Sequence, residues 1–280
     1  MFWADEIANK LDKKQKQLVD DAFSTSGPAH VGSLRGFVIH DIAHKTLIKD
    51  GLDARFTFIL DDFDPVDELP GIAFDKKIIE AEMGKPIFMA VSPEKGKSLA
   101  DYYGEQIIAS ASKAGVFPEY RRNSEIYKAG ELDDVIKIAL DNTDKIKEIY
   151  KRITTVQHPK DWYPFQPICE KCGKIGTTTT LAWNGKMVTY ICEENKVTWA
   201  HGCGYTGTVS PFGGTGKLYW RVEWPARMVA LGVTVEGEGK DHWVAGGSRE
   251  MANAIIREIF KKQPPEDIRY EFFVVEGKKM

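Results

Sequence analysis

Phe56-Thr57-Phe58-Ile59-Leu60 is a run of apolar and β-branched residues without the in-and-out alternation of a half-exposed strand. A strand of this kind is covered on both faces, the condition of a parallel sheet flanked by helices. Immediately upstream Leu34, Val38 and Ile42 recur at helical spacing, so a helix opens just after Val31-Gly32-Ser33 and ends before Gly51. Residues Asp5 to Val19 read as a helix feeding a short strand, and Phe23 to Ala29 is small and turn-prone. Strand, helix, strand is the opening of a Rossmann-like α/β unit.

The pattern then breaks. From Ile72 to Arg152 the chain is mainly helical, with helices expected over 98–114 and 134–150. From 162 to 220 helical periodicity disappears, Cys, Gly, Thr and Trp rise, and short strands such as Val188 to Cys192 stand between turns, the composition of a zinc ribbon. The α/β signal returns at Leu218: a helix carries Ala252, Ile255, Ile256 and Ile259, and a strand follows over Tyr270 to Val275. The 280 residues therefore divide into a first half-domain (1–64), a helical insert (65–160), a zinc-ribbon insert (161–217) and a second half-domain (218–280). The fold class is α/β, a Rossmann-like parallel sheet of HUP type interrupted by about 150 residues of insertion.

Composition narrows the function classes. No apolar run approaches the ~18 residues of a membrane helix, so no membrane partner is expected. Met1-Phe2-Trp3-Ala4-Asp5-Glu6 lacks a basic patch followed by an apolar stretch, so a cytoplasmic location is expected. A net charge of -3 and a pI near 6.1 give no basic footprint over the whole chain, and no DNA partner is expected. An RNA ligand needs only a local stripe, for which Lys13-Lys14-Gln15-Lys16, Lys171 and Lys174 are candidates that equally suit a solvated face.

Four cysteines, Cys169, Cys172, Cys192 and Cys203, are the whole complement. Cys169-Glu170-Lys171-Cys172-Gly173 is the first knuckle of a tetrahedral zinc site, and Cys203-Gly204 ends like a second. His201 competes with Cys203 for the fourth place. Such a zinc is structural, because a shell of four sulfurs leaves no open position for chemistry.

Other residues suit phosphate and substrate chemistry. His30-Val31-Gly32-Ser33 stands where a helix begins, so free N–H groups, the helix dipole and the His30 imidazole all favour a phosphate. The plain alternative is a turn capped by Ser33. Gly239-Lys240-Asp241-His242 follows a Gly-rich, irregular stretch and offers a second histidine, or else a solvated loop. Asp61 and Asp62 end the buried strand where open α/β sheets bind ligands, and either could clamp an amino group or cap a helix.

In order along the chain these pieces resemble class I lysyl-tRNA synthetases. Ser26-Gly27-Pro28-Ala29-His30-Val31-Gly32-Ser33 looks like the HIGH signature, and Asp61-Asp62-Phe63-Asp64 is similar to the acidic segment after the next strand. The most specific match is Trp220 to Arg227, then Gly232-Val233, then Gly239-Lys240-Asp241-His242 with Ala245-Gly246. Tyr270-Glu271-Phe272-Phe273 continues it, and Gly277-Lys278-Lys279-Met280 resembles the entry to the KMSKS loop. The likeness spans 3 to 280, sparse between 65 and 160. It implies lysine, ATP with Mg2+ and tRNA(Lys) as substrates, and formation of lysyl-adenylate followed by transfer to tRNA. His30, His242 and Lys279 are the implied catalytic residues. His30, Gly32, Ser33, Gly239, His242 and Lys279 would hold ATP, and Ser24, Asp61, Trp220, His242 and Tyr270 would hold lysine.

Departures qualify the implication. Ser33 stands where relatives often carry Asn, Thr or His, Ala22 replaces a glycine, and Ser92 to Lys97 lacks the Cys and His of a second zinc, so one zinc is expected. The rest of the KMSKS loop and an anticodon-binding region do not follow Met280, which implies a fragment with weak or absent adenylation. Three rival readings stand beside this one. They are a glutamyl-type synthetase, which should place an Arg where lysine needs acids, a non-catalytic RNA-binding paralogue, and a small nucleotidyltransferase with the same His-x-Gly-x turn.

Overall fold

The computed structural model describes residues 2–68 and 75–279. Helix α1 (Trp3–Lys10) leads into strand β1 (Gln17–Ser24), helix α2 (Val31–Lys49) and strand β2 (Ala54–Asp61). The next stretch gives α3 (Lys76–Glu82), a 3-10 turn (Ile87–Met89), α4 (Leu99–Lys113), β3 (Glu119–Arg122), α5 (Asn123–Lys128), α6 (Asp133–Asp141) and α7 (Thr143–Thr154). Five short strands follow: β4 (Phe165–Pro167), β5 (Thr178–Trp183), β6 (Val188–Cys192), β7 (Thr206–Val209) and β8 (Gly216–Leu218). The chain closes with α8 (Trp220–Leu231), β9 (Val235–Gly239), α9 (Lys240–Trp243), α10 (Ser248–Glu258), β10 (Glu266–Tyr270), and the hairpin β11 (Val274–Val275) and β12 (Lys278–Lys279).

The central sheet runs β10-β9-β1-β2-β3, every neighbouring pair parallel. Its strand order is that of a Rossmann-type sheet, and the order reverses between β1 and β9. At that switch point the strand ends splay and leave a crevice. Strand β2 is buried on both faces, as its unbroken apolar run requires: Phe56, Phe58 and Leu60 pack toward α1, α2 and α4, and Ile59 toward α6, α7, α8 and α10.

The structure departs from the sequence reading in four places. The helix expected over 134–150 is two helices, α6 and α7, broken at Asn142. There Asn142 Nδ2 donates to Ile138 O at 2.9 Å beside its own backbone N–H at 3.1 Å, and Thr143 Oγ1 donates to Leu140 O at 2.8 Å, so side-chain hydrogen bonds to the last carbonyls close α6. The Gly-rich stretch before Lys240, read as irregular, is β9, inside the central sheet. The strand expected over 270–275 begins at Glu266 and ends at Tyr270, with polar residues opening a sheet-edge strand. Strand β3 returns to the central sheet from within the stretch read as helical.

Residues 165–218 form two small antiparallel sheets, β4-β8 and β5-β6-β7. They pack on the same core as α6 and α7. Among the described residues no helix is long and apolar enough to cross a membrane.

Candidate active site at the sheet's switch point

The C-terminal ends of β1 and β9, the first turn of α2, and α8, α9 and Tyr270 surround a cavity of about 360 Å3. It lies at the switch point that the strand order defines. Ser24, His30, Gly32, Asp61, Trp220, Gly239, His242 and Tyr270, widely separated in sequence, all line it. Ser33 shares the first turn of α2 and Lys279 lies in β12, but both side chains fall outside the described residues.

One wall is aromatic. Trp220 and Trp224, four residues apart on α8, stack with centroids 5.9 Å apart and planes 9° apart. His242 stands 5.6 Å from Trp220 and 5.9 Å from Trp224. Trp224 is locked from behind, since its indole N–H donates to Glu236 and the Arg249 guanidinium lies 5.9 Å over its ring. Trp220 is more than a third exposed, at 37%, so its face is open to a ligand. Across the cavity the Arg35 guanidinium sits 4.5 Å over the Tyr270 ring. Burial, reinforced by Asp21, pushes the Tyr270 phenol well above its ordinary value, so it stays a hydrogen-bond donor.

The opposite end is a helix N-terminus. The first N–H groups of α2 have no partners within the helix, and His30 immediately precedes Val31, so this corner attracts an anion.

The floor is acidic. Asp21, Asp61, Asp64, Glu236, Glu238 and Asp241 line the cavity against the guanidinium groups of Arg35 and Arg227. Lys217 and Arg249 add two cations behind the wall, bound to Asp64, Glu223 and Glu238. Carboxylates remain in excess, which favours a cationic ligand. Asp61 accepts from Asn123 Nδ2 at 2.8 Å and faces Arg227 Nη1 at 3.5 Å. Burial pushes the Asp61 carboxyl up, but Lys217 and Arg227 outweigh it and hold the group below its usual value, ionised. Burial pushes Glu236 well above the carboxylate range, with Asp20 reinforcing it, and pushes Glu238 to about 7 against the pull of Arg249. Asp62 takes the other role open to it: it accepts the Ser124 N–H and hydroxyl, each at 2.7 Å, and caps α5 away from the cavity.

Several lining residues were not singled out from sequence: Asp21, Arg35, Gly36, Trp224, Arg227, Glu236 and Glu238. A signal existed for the acids. Asp20-Asp21 in β1 and Glu236, Glu238 in β9 put charge in central strands of a buried sheet, where a carboxylate needs a partner or a function.

The four cysteine sulfurs all lie within 4.8 Å of one another, with Cys169–Cys203 and Cys172–Cys192 at 3.6 Å. Sulfurs about 2.3 Å from a tetrahedral zinc stand roughly 3.8 Å apart, so the donor set fits that ion. Both knuckles turn on left-handed glycines, Gly173 at φ 74° and Gly204 at φ 71°. Cys203 N–H and Thr177 Oγ1 reach the Cys192 sulfur at 3.4 and 3.2 Å, contacts that suit a thiolate. Cys203 takes the fourth corner. His201 is exposed, with Nδ1 3.2 Å from Glu194 O, and is outside the cluster.

Comparison with known proteins agrees with this architecture. The family described as tRNA synthetases class I (K) matches residues 1–280. A lysine–tRNA ligase of Picrophilus torridus is 36% identical over 99% of this chain and 53% of its own length. Those of Thermoplasma acidophilum and Methanococcus maripaludis are 35% and 38% identical over 99% and 97% of this chain, and 52% and 50% of theirs. The chain thus spans about half the length of the curated relatives it matches. With the family matching from end to end and the switch-point cavity in place, this chain belongs to the class I lysyl-tRNA synthetases.

Proposed function

We propose that the chain holds lysine and ATP in the switch-point cavity and forms lysyl-adenylate there, the first half of lysine–tRNA ligation, with tRNA(Lys) as acceptor in the second half. The observation that carries this reading is the cavity's polarity. An acid-rich floor suits a substrate with two ammonium groups, and a helix N-terminus at the rim suits a triphosphate. In the reaction a lysine carboxylate oxygen bonds to the α-phosphorus as the bond to the β-phosphate oxygen breaks, and pyrophosphate leaves. No enzyme-bound covalent intermediate is needed, so the residues act by positioning and by stabilising charge. His30 and the α2 N–H groups at Gly32 and Ser33 face the phosphates, with Gly239 and His242 at the other edge, and Lys279 completes the set of ATP residues. Ser24, Asp61, Trp220, His242 and Tyr270 hold the amino acid. The Mg2+ arrives with ATP as part of the substrate.

Glutamate is disfavoured because the cavity's two arginines are already engaged: Arg227 with the Asp61 carboxylate, Arg35 with the Tyr270 ring and the Glu271 backbone carbonyl. Residues 1–64 and 218–280 read as the catalytic halves, and 65–160 and 161–217 as inserts. Cys169, Cys172, Cys192 and Cys203 hold a structural zinc that ties the second insert together. The reaction belongs to the cytoplasm, where charged tRNA is used. Tryptophan fluorescence is the test, since Trp220 and Trp224 flank the cavity: a saturable change with lysine and none with glutamate supports the reading, and the reverse overturns it.

A further inference from the structure

We propose that Asp21 is the residue that selects lysine, by accepting the ε-ammonium of its side chain over Gly36. This rests on the lysine reading of the cavity and adds the group that distinguishes lysine from other amino acids.

The acids of the floor differ in what they already hold. Asp61, Asp64 and Glu238 face Arg227, Lys217 and Arg249, Glu236 takes the Trp224 indole N–H, and Asp241 on α9 is engaged as well. Asp21 is ion-paired to no lysine or arginine among the described residues. Its Oδ1 accepts the Ala22 N–H at 2.9 Å, and its Oδ2 lies 3.3 Å from His40 Nδ1. His40 is held to the backbone on both sides: its Nε2 accepts the Gly237 N–H at 2.7 Å and its Nδ1 lies 2.7 Å from Gly36 O, closer than its 3.3 Å to Asp21. A buried carboxylate thus faces the cavity without a lysine or arginine in contact, its charge offset only in part by His40 and the more distant Arg227, a state that a ligand cation relieves. Burial raises the Asp21 carboxyl accordingly.

Geometry brings two acceptor oxygens together for that cation. A Cβ at position 36 would come within 2.6 Å of Asp21 Oδ2 and 3.5 Å of Tyr270 Oη. The carboxylate and the phenol therefore converge over one glycine, and any side chain there would displace the carboxylate. Asp21 also lies three residues before Ser24 on β1, about 10 Å below the strand end at ~3.3 Å per residue. The α-carboxylate must react at the rim, beside the N-terminus of α2, so the group reaching the floor is the end of the side chain. An ammonium there donates to Asp21 and to the Tyr270 oxygen.

Calorimetric titrations of the 280-residue chain with lysine, norleucine and an ATP analogue test this, since norleucine is lysine without its ε-nitrogen. In Asp21→Asn the lysine Kd should rise on the order of 100-fold, to the level of norleucine, with norleucine and ATP-analogue affinities unchanged. Unchanged lysine affinity overturns the inference and leaves the lysine site standing. Equal loss of lysine and norleucine also overturns it, by moving Asp21 to the α-ammonium. Failure of the unaltered chain to bind lysine removes the reading of the site and this inference with it. Should Asp21→Asn not fold, Gly36→Ala decides, because its methyl displaces the carboxylate from the helix side. Selective loss of lysine supports the proposal, and wild-type lysine affinity refutes it.

Discussion

Lys217 is buried, at 2% exposure, and its ammonium meets Asp64 and, at 2.6 Å, Glu223. Asp61, Asp64 and Glu223 bring carboxylate oxygens within 4.8 Å of one another, so Lys217 and Arg227 are what allow three acids to share one low-dielectric volume. Replacing Lys217 by Met keeps the apolar stem and removes the charge. Breaking one side of a buried ion pair costs about 3–5 kcal/mol. That is a large share of a typical stability of about 5–15 kcal/mol, and it lowers Tm by roughly 5–9 °C in a chain of 280 residues. The pH dependence follows from the acids. Without Lys217 the folded-state pKa values of Asp64 and Glu223, already raised by burial, rise further above their unfolded values. A carboxyl of that kind destabilises the fold at high pH and ceases to do so as pH falls through its folded pKa. The stability gap between Lys217→Met and the parent should therefore be widest at pH 7.5 and narrower at pH 5. Adding Glu223→Gln should recover part of it. Urea unfolding followed by far-UV circular dichroism measures both. A gap below about 1 kcal/mol at pH 7.5, or one that does not shrink at pH 5, refutes the reasoning.

Other expectations concern separate parts of the molecule. Burial pushes the Asp20 carboxyl to about 6 against the pull of Arg227 and Thr57. Because that value is above the unfolded one, the charge destabilises the fold above pH 6, so Asp20→Asn should gain about 2–3 kcal/mol at pH 8 and little at pH 3.5, measured by denaturant titration. Metal analysis should find one zinc per chain. Chelation, or Cys172→Ser, should release it and cost several kcal/mol of stability, read as a drop in Tm, with the central sheet's circular dichroism retained at low temperature. Trp220→Ala removes the open face of the aromatic wall and should weaken lysine binding about 10-fold with little change in Tm, since Trp220 is partly exposed.

Legibility followed the physical signal. β2 announced itself because burial on both faces leaves one sequence solution, a continuous apolar run, and α10 carried clean periodicity into single-sided packing, whereas α2 formed where expected but buries Phe37, His40, Ala43 and Leu47 and leaves Val38 exposed. β9 did not announce itself. Val-Glu-Gly-Glu-Gly reads as loop because its acids serve the cavity and Gly237 lets His40 close on the backbone, so function overrode strand composition. The break at Asn142 was hidden because apolar spacing continues across it, and only the short side chains of Asn142 and Thr143 mark it. At the site, the residues placed from motif order, from Ser24 to Tyr270, share one cavity. Asp61 was legible from its place at the end of β2, but Asp21, Glu236 and Glu238 were missed because their settings depend on residues of other elements: Asp21 on Gly36 and His40, Glu236 on Trp224, Glu238 on Arg249. The cysteine spacing foretold a four-sulfur cluster, but the choice of Cys203 over His201 depended on the fold of a ten-residue loop that spacing does not describe.

The most direct test is calorimetry of the chain with a non-hydrolysable lysyl-adenylate mimic, against its glutamyl counterpart and in competition with free lysine. One site per chain for the lysyl compound, tighter than lysine alone, displaced by excess lysine and weakened by His30→Ala, is the predicted result. Equal binding of the glutamyl compound, or no binding of either, would contradict the account.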